Sequence, residues 1–216
     1  MNLSLYYKVR EPKIKLEKNP LLLLLHGYGS NEEDLFSFAT ELPDHYYIVS
    51  VRAPYDLMYG SYAWYAINFD ADENKFSDLT QARKSRDLIV TFITELVEKY
   101  PIAKEDITLI GFSQGAILGY AIALSYPEKF QKLVALSGYL NTEIAKEDYE
   151  NNEFEKLKIF ASHGTADQVI PVEWARKTKP VLDAYNVNCT YKEYPIGHGV
   201  SPQNFHDFKN WLTSIK

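Results

Sequence analysis

Cysteine is almost missing from this sequence: its 216 residues include one, Cys189. No intramolecular disulfide can form, so folding does not depend on an oxidising compartment. The thiol is read as a structural group on a strand rather than as a nucleophile. Positive charge is also in deficit. The formal net charge is −6, and a nucleic-acid backbone is repelled by such a surface, so no nucleic-acid partner is expected. The apolar run Leu21–Leu25 falls far short of the roughly 20 residues that cross a bilayer. Met1–Arg10 lacks the basic stretch and apolar run of a secretory signal. From these absences a cytoplasmic protein is expected. There is no repeat, low-complexity tract or Pro/Gly/Ser-rich linker. The motifs hold no His, Glu and Cys cluster at metal-ligand spacing, so neither a metal nor a cofactor is expected. Nothing in the sequence sets the oligomeric state.

What is present suits one α/β domain over residues 1–216. The hydrophobic share of 46% and charged share of 24% are ordinary for a globular protein. Buried strands are expected at Leu21–Leu25, Tyr47–Val51, Ile107–Ile110, Leu133–Leu136 and Lys158–Ala161. Thr190–Tyr194 alternates as a strand near a sheet edge, and Leu3–Val9 suits an edge strand. Helices are expected after Asn31, with Leu35, Ala39 and Leu42 on one face, and over Leu79–Lys99, Ala116–Ser125 and Val172–Tyr185. A last helix opens at Ser201 and Pro202, and buries Phe205, Phe208, Trp211, Leu212 and Ile215. The polar stretch Asn141–Lys156 reads as a solvated loop with a short helix. This alternation implies a mostly parallel central sheet with helices on both faces. Functional residues in such sheets lie just beyond the carboxyl ends of strands.

Gly111-Phe112-Ser113-Gln114-Gly115 fits the pattern G-x-S-x-G. The pattern alone is weak, but here a strand precedes it and a helix follows. A serine on so sharp a turn has strained backbone angles and needs glycines two residues away on either side. The turn lifts the hydroxyl clear of the sheet and sets it at a helix N-terminus. The competing reading is an ordinary serine cap in a βα turn. A serine nucleophile needs a base, and the base needs an orienting group, in the chain order Ser, acid, His. Three histidines follow Ser113. His198 lies between two glycines in a loop ahead of the last helix. His206 falls inside that helix, and His163 would be out of order. Asp167 sits just past the strand Lys158–Ala161, whereas Asp183 is helical and Asp148 lies in the acidic loop. Ser113, Asp167 and His198 are therefore the candidate nucleophile, acid and base. The oxyanion of a tetrahedral intermediate needs donors. The backbone N–H of Gln114 is one candidate, and that of Tyr28, in Leu25-His26-Gly27-Tyr28-Gly29, is the other. His26 reads as a structural residue of this loop, and His26→Ala is expected to leave catalysis in place.

These segments, with Ser137-Gly138, His163-Gly164, Val169-Ile170-Pro171, Gly197-His198 and Tyr62-Ala63-Trp64-Tyr65, resemble the phospholipase/carboxylesterase family. That family includes the acyl-protein thioesterases and small bacterial carboxylesterases. The resemblance runs in order along most of the chain. It implies an α/β-hydrolase fold and a metal-free ester or thioester hydrolase acting on a small-molecule ester. It also implies a Ser113, Asp167 and His198 triad, with the Tyr28 and Gln114 amides as oxyanion donors.

The chain departs from the thioesterase pattern in a tyrosine-rich run at Tyr55, Met58, Tyr59 and Tyr62. The chain holds 17 tyrosines in all. Aromatic residues without a helical or strand period, leaving the sheet at its active-site end, suggest pocket walls. Trp64 and Tyr65 are expected to shorten the acyl site, with Met58 and Tyr59 flanking its mouth, which favours short or medium acyl groups. In the competing reading these rings simply pack on the sheet.

Overall fold

A computed structural model describes residues 3–69 and 75–214. The strands in chain order are β1 (Tyr7–Arg10), β2 (Asn19–Leu25) and β3 (Tyr47–Val51), followed by two short hairpins. The hairpins pair β4 (Tyr55–Asp56) with β5 (Tyr62–Ala63), and β6 (Ile67–Phe69) with β7 (Lys75–Ser77). Then come β8 (Ile102–Phe112), β9 (Lys132–Leu136), β10 (Lys158–Gly164) and β11 (Asn188–Tyr194). The helices are α1 (Leu79–Lys99), α2 (Gln114–Ser125), α3 (Val172–Arg176), α4 (Thr178–Ala184) and α5 (Pro202–Ser214).

Seven strands form one sheet in the order β1-β3-β2-β8-β9-β10-β11. β1 runs antiparallel on one edge and the other pairings are parallel. The central strands are apolar on both faces because both faces are covered. Leu21, Leu23 and Leu25 pack with α1 and α2 residues such as Phe92 and Ile122. Leu22 and Leu24 pack on the opposite side with Leu35, Phe208 and Leu212. The period of two along a strand sends neighbours to opposite faces.

From β2 the chain builds outward to β3 on one side, and from β8 outward to β9, β10 and β11 on the other. The junction of β2 and β8 is thus the switch point of the sheet, where parallel folds open a crevice beyond the strand ends. Among the described residues no helix is long and apolar enough to cross a membrane.

Several elements differ from the sequence expectation. The segment after Asn31 is a 3-10 turn over Leu35–Thr40 rather than a regular helix, although Leu35, Ala39 and Leu42 are buried as expected. The helix expected over Val172–Tyr185 is broken at Lys177 into α3 and α4. Pro180 has no N–H to bond back to Arg176, but fits the first turn of a new helix, where such donors are unpaired anyway. The stretch Asn141–Lys156 is more than a solvated loop. Ile144, Ala145, Tyr149 and Phe154 from it join the core. Its two short 3-10 turns set Ile144 and Tyr149 inward and leave Glu143 and Glu150 exposed. Ile215 lies outside the described residues.

Candidate active site

Ser113 sits between β8 and α2 with φ +53° and ψ −117°. This backbone shape costs a non-glycine residue of the order of 1–3 kcal/mol. It is held because the turn is locked on both sides. A Cβ on Gly115 would lie 2.1 Å from the Leu25 carbonyl oxygen, and one on Gly111 would lie 2.4 Å from that of Gly115. Only glycine permits so close an approach of β2, β8 and α2. The Ser113 N–H donates to the Leu136 carbonyl at 2.8 Å, anchoring the turn to β9.

His198 enters from the loop between β11 and α5. Its Nε2 lies 2.9 Å from Ser113 Oγ and its Nδ1 lies 2.7 Å from Asp167 Oδ2. A carboxylate accepts only, so Nδ1 carries the proton and Nε2 presents a lone pair to the hydroxyl. Asp167 follows β10, and its Oδ1 accepts the Val169 and Ile170 amides at 2.8 and 2.9 Å. Burial pushes the Asp167 carboxyl up, but the bonds from His198, Ile170 and Val169 outweigh it and hold the group below the usual aspartate range. The acid is therefore an anion facing an imidazole, and the imidazole faces a hydroxyl. That series can move a proton off the oxygen and stabilise the cation formed.

The loop after β2 packs directly on the serine: a Cβ on Gly27 would lie 3.3 Å from Ser113 Cβ. Among the described residues neither the Tyr28 nor the Gln114 amide donates a backbone hydrogen bond. His26 is wholly buried. Its Nε2 accepts the Ala53 N–H at 3.1 Å, so its Nδ1 carries the proton and donates to the Gly27 carbonyl at 2.7 Å. Burial pushes the His26 pKa down, which keeps the ring neutral. Carbonyl and N–H point opposite ways in a trans peptide plane. Holding the Gly27 oxygen from one side therefore aims the Tyr28 N–H to the other.

A cavity of about 560 Å³ opens over Ser113 and His198. Tyr28 and Tyr65 line it, as do Phe112, Ile117, Tyr139, Val169 and Trp174, with the polar Asp34, Asn141 and Glu143. Three residues expected at the pocket stand elsewhere. Trp64 does not line it: the ring is 0% exposed, and its Nε1 donates to the His26 carbonyl at 2.9 Å. Met58 and Tyr59 are also absent from the walls. They form the tip of the β4–β5 hairpin, both with positive φ, and are 63% and 96% exposed. The left-handed turn throws the two side chains into solvent. Tyr65 does line the cavity.

Sequence reasoning missed Tyr139, Asn141 and Trp174 as cavity walls. Tyr139 and Asn141 follow β9, so their place beyond a strand end was an available signal. Trp174 had none beyond its nearness to Asp167. His163, set aside as out of order, is buried with Nε2 2.8 Å from the Ile170 carbonyl and 3.2 Å from Asp167 Oδ2. His206 is exposed on α5.

Residues 7–216 match the phospholipase/carboxylesterase family. A probable carboxylesterase of Oryza sativa subsp. japonica is 32% identical over 112 residues, 51% of this chain and 42% of that protein. Acyl-protein thioesterase 1 of Kluyveromyces lactis is 30% identical over 157 residues, 70% of this chain and 68% of that protein. The chain thus spans less than half of the rice relative and about two thirds of the yeast one. The crystal structure of a Bacillus cereus carboxylesterase superimposes with a TM-score of 0.83, covering 97% of this chain and 94% of that one at 21% identity. That likeness shows the fold. The mostly parallel sheet and the match over nearly the whole sequence agree: the chain has the α/β-hydrolase fold and belongs to the phospholipase/carboxylesterase family of hydrolases.

Proposed function

We propose that residues 1–216 act as one domain, a cytoplasmic serine carboxylesterase working through an acyl-enzyme. The observation that carries this reading is the unbroken series Ser113 Oγ–His198 Nε2–Asp167, with contacts of 2.9 and 2.7 Å. Nε2 takes the Ser113 proton as the oxygen attacks the ester carbonyl, and Asp167 stabilises the imidazolium. The carbonyl oxygen, now an anion, is held by the Tyr28 and Gln114 amides. Nε2 returns the proton to the departing alcohol. Water then attacks the acyl-serine by the same proton route and releases the acid. The reaction draws on no metal and no cofactor.

For the acyl group, the reading is short to medium length. Tyr65 closes part of the cavity, and Asp34, Asn141 and Glu143 interrupt its apolar walls. A palmitoyl-length chain laid across those groups would strip them of water without bonding them. A second reading is thioester or lysophospholipid hydrolysis with longer chains. Tyr28, Val169 and Trp174 favour it, since they line the cavity yet are 43%, 55% and 43% exposed, an apolar rim for a chain to follow. The deciding experiment measures kcat/KM across acyl lengths on matched oxygen esters and thioesters, with burst kinetics to detect the acyl-enzyme. A maximum at short or medium oxygen esters supports the first reading, and a maximum at palmitoyl thioesters the second.

A further inference from the structure

Gln114 contributes more than its backbone amide. Its side chain is buried and bonds at both ends to one short segment. Oε1 accepts the Trp64 N–H and Nε2 donates to the Tyr65 carbonyl, each at 2.8 Å. The Trp64 indole then reaches the opposite loop, where Nε1 donates to the His26 carbonyl at 2.9 Å. The two rings lie 5.5 Å apart. Ser85 Oγ closes the arrangement by donating to the Trp64 carbonyl. Both backbone polar groups of Trp64 and its indole N–H are therefore bonded, and the residue is fully buried. One end of this network is the residue carrying the first oxyanion amide. The other is the His26–Gly27 unit that aims the second, Tyr28.

We infer that Trp64 is a positioning residue that ties the two oxyanion amides to each other, fixing the gap into which the anion forms. It touches neither substrate nor reacting atoms. The inference rests on the proposed acyl-transfer reading, because the spacing of two amides matters only if an oxygen is held between them. Such donors act mainly on the transition state, where the oxygen carries full charge and its position has shifted from that of the carbonyl. A loosened tie should therefore lower kcat and leave KM nearly unchanged. A packing residue would lower stability alone, and a pocket wall would change KM or acyl preference. The tie also revises the expectation for His26: its loss should lower kcat, because the Gly27–Tyr28 peptide would no longer be held from behind.

The test is Trp64→Phe, which keeps most of the ring volume and deletes the indole N–H. Removing a whole oxyanion donor costs about 10²–10³ in kcat. Loosening one should cost less, on the order of tenfold, with KM within about twofold. The affinity for a trifluoromethyl ketone, which forms a serine-bound oxyanion, should fall by the same factor as kcat. The affinity for an uncharged, unreactive ketone of the same shape should not fall. Gln114→Met, which keeps the backbone amide and removes both side-chain bonds, should repeat the pattern and serves if Trp64→Phe does not fold. Unchanged kcat and trifluoromethyl ketone affinity in a folded variant, with only a lower Tm, would overturn the tie. So would a rise in KM at constant kcat. A wild type that hydrolyses no ester would overturn the underlying reading, and the tie with it.

Discussion

Asp34 and Glu143 face one cavity from opposite sides of Ser113. Asp34 lies beyond β2 and Glu143 beyond β9, the two strands that flank β8 in the sheet. Neither carboxylate forms an ion pair among the described residues, and no arginine or lysine among them lines the cavity. Asp34 accepts a bond from Ser30 Oγ at 2.9 Å; burial pushes the Tyr139 hydroxyl pKa up, and the nearby Glu143 charge adds to that shift.

A first prediction follows for substrate charge. An ester whose alcohol carries a quaternary ammonium should be hydrolysed faster than its neutral isostere, and one carrying a carboxylate slower. The carboxylates are exposed, so each step should be about two- to fivefold in kcat/KM at low salt. The ratio should shrink in 0.5 M salt and in Asp34→Asn with Glu143→Gln. Equal rates for the three esters at low salt would remove the carboxylates from substrate choice.

Acyl preference should depend on Tyr65 and not on Trp64. Tyr65→Leu, which enlarges the cavity, should move the optimum toward longer chains, changing the long-to-short ratio by about tenfold. Trp64→Phe should lower rates in parallel at every length. A shift in preference on changing Trp64 would restore it as a pocket wall.

The depressed Asp167 pKa gives a pH dependence of stability. A carboxyl whose folded value lies below its unfolded value contributes stability that is present above the unfolded value. That contribution is lost as pH falls through the folded one. With an unfolded aspartate near 3.9, the loss belongs below about pH 5. The Tm difference between wild type and Asp167→Asn should be constant from pH 6 to 8 and narrow as pH drops toward 3. A difference that widens on acidification would contradict the sign.

The elbow glycines should tolerate nothing larger. Gly115→Ala forces a Cβ to 2.1 Å from the Leu25 carbonyl, a backbone atom that cannot swing aside. Thermal unfolding should show a loss of at least about 1–3 kcal/mol. Activity should fall further, since β2 carries the Tyr28 loop.

The parts of this site legible in the sequence were those with local signatures. The strand-to-helix turn at Ser113 announces itself through Gly111 and Gly115. Asp167 and His198 could be chosen because strand ends restrict where such residues stand. The buried strands were legible because Leu21–Leu25 is apolar at every position. What escaped depended on distant partners. Trp64 looked like a wall because its neighbours lack a period, yet its indole N–H is satisfied by His26 across the fold. Ile144 and Tyr149 looked solvated because charged residues surround them in sequence, and turn geometry alone sends them inward. The break between α3 and α4 had a signal in Pro180, which suits the first turn of a helix, but Val172–Tyr185 reads as one helix when that proline is passed over.

In the proposed reaction Ser113 is the nucleophile and His198 activates it. The test is the intact mass and peptide map of the protein after a stoichiometric fluorophosphonate, alongside ester hydrolysis by Ser113→Ala. Wild type should carry a single adduct on Ser113 and the variant none, with a fall in kcat of roughly 10⁴–10⁶. An adduct on another residue, or a Ser113→Ala variant that still hydrolyses esters at the wild-type rate, would contradict it.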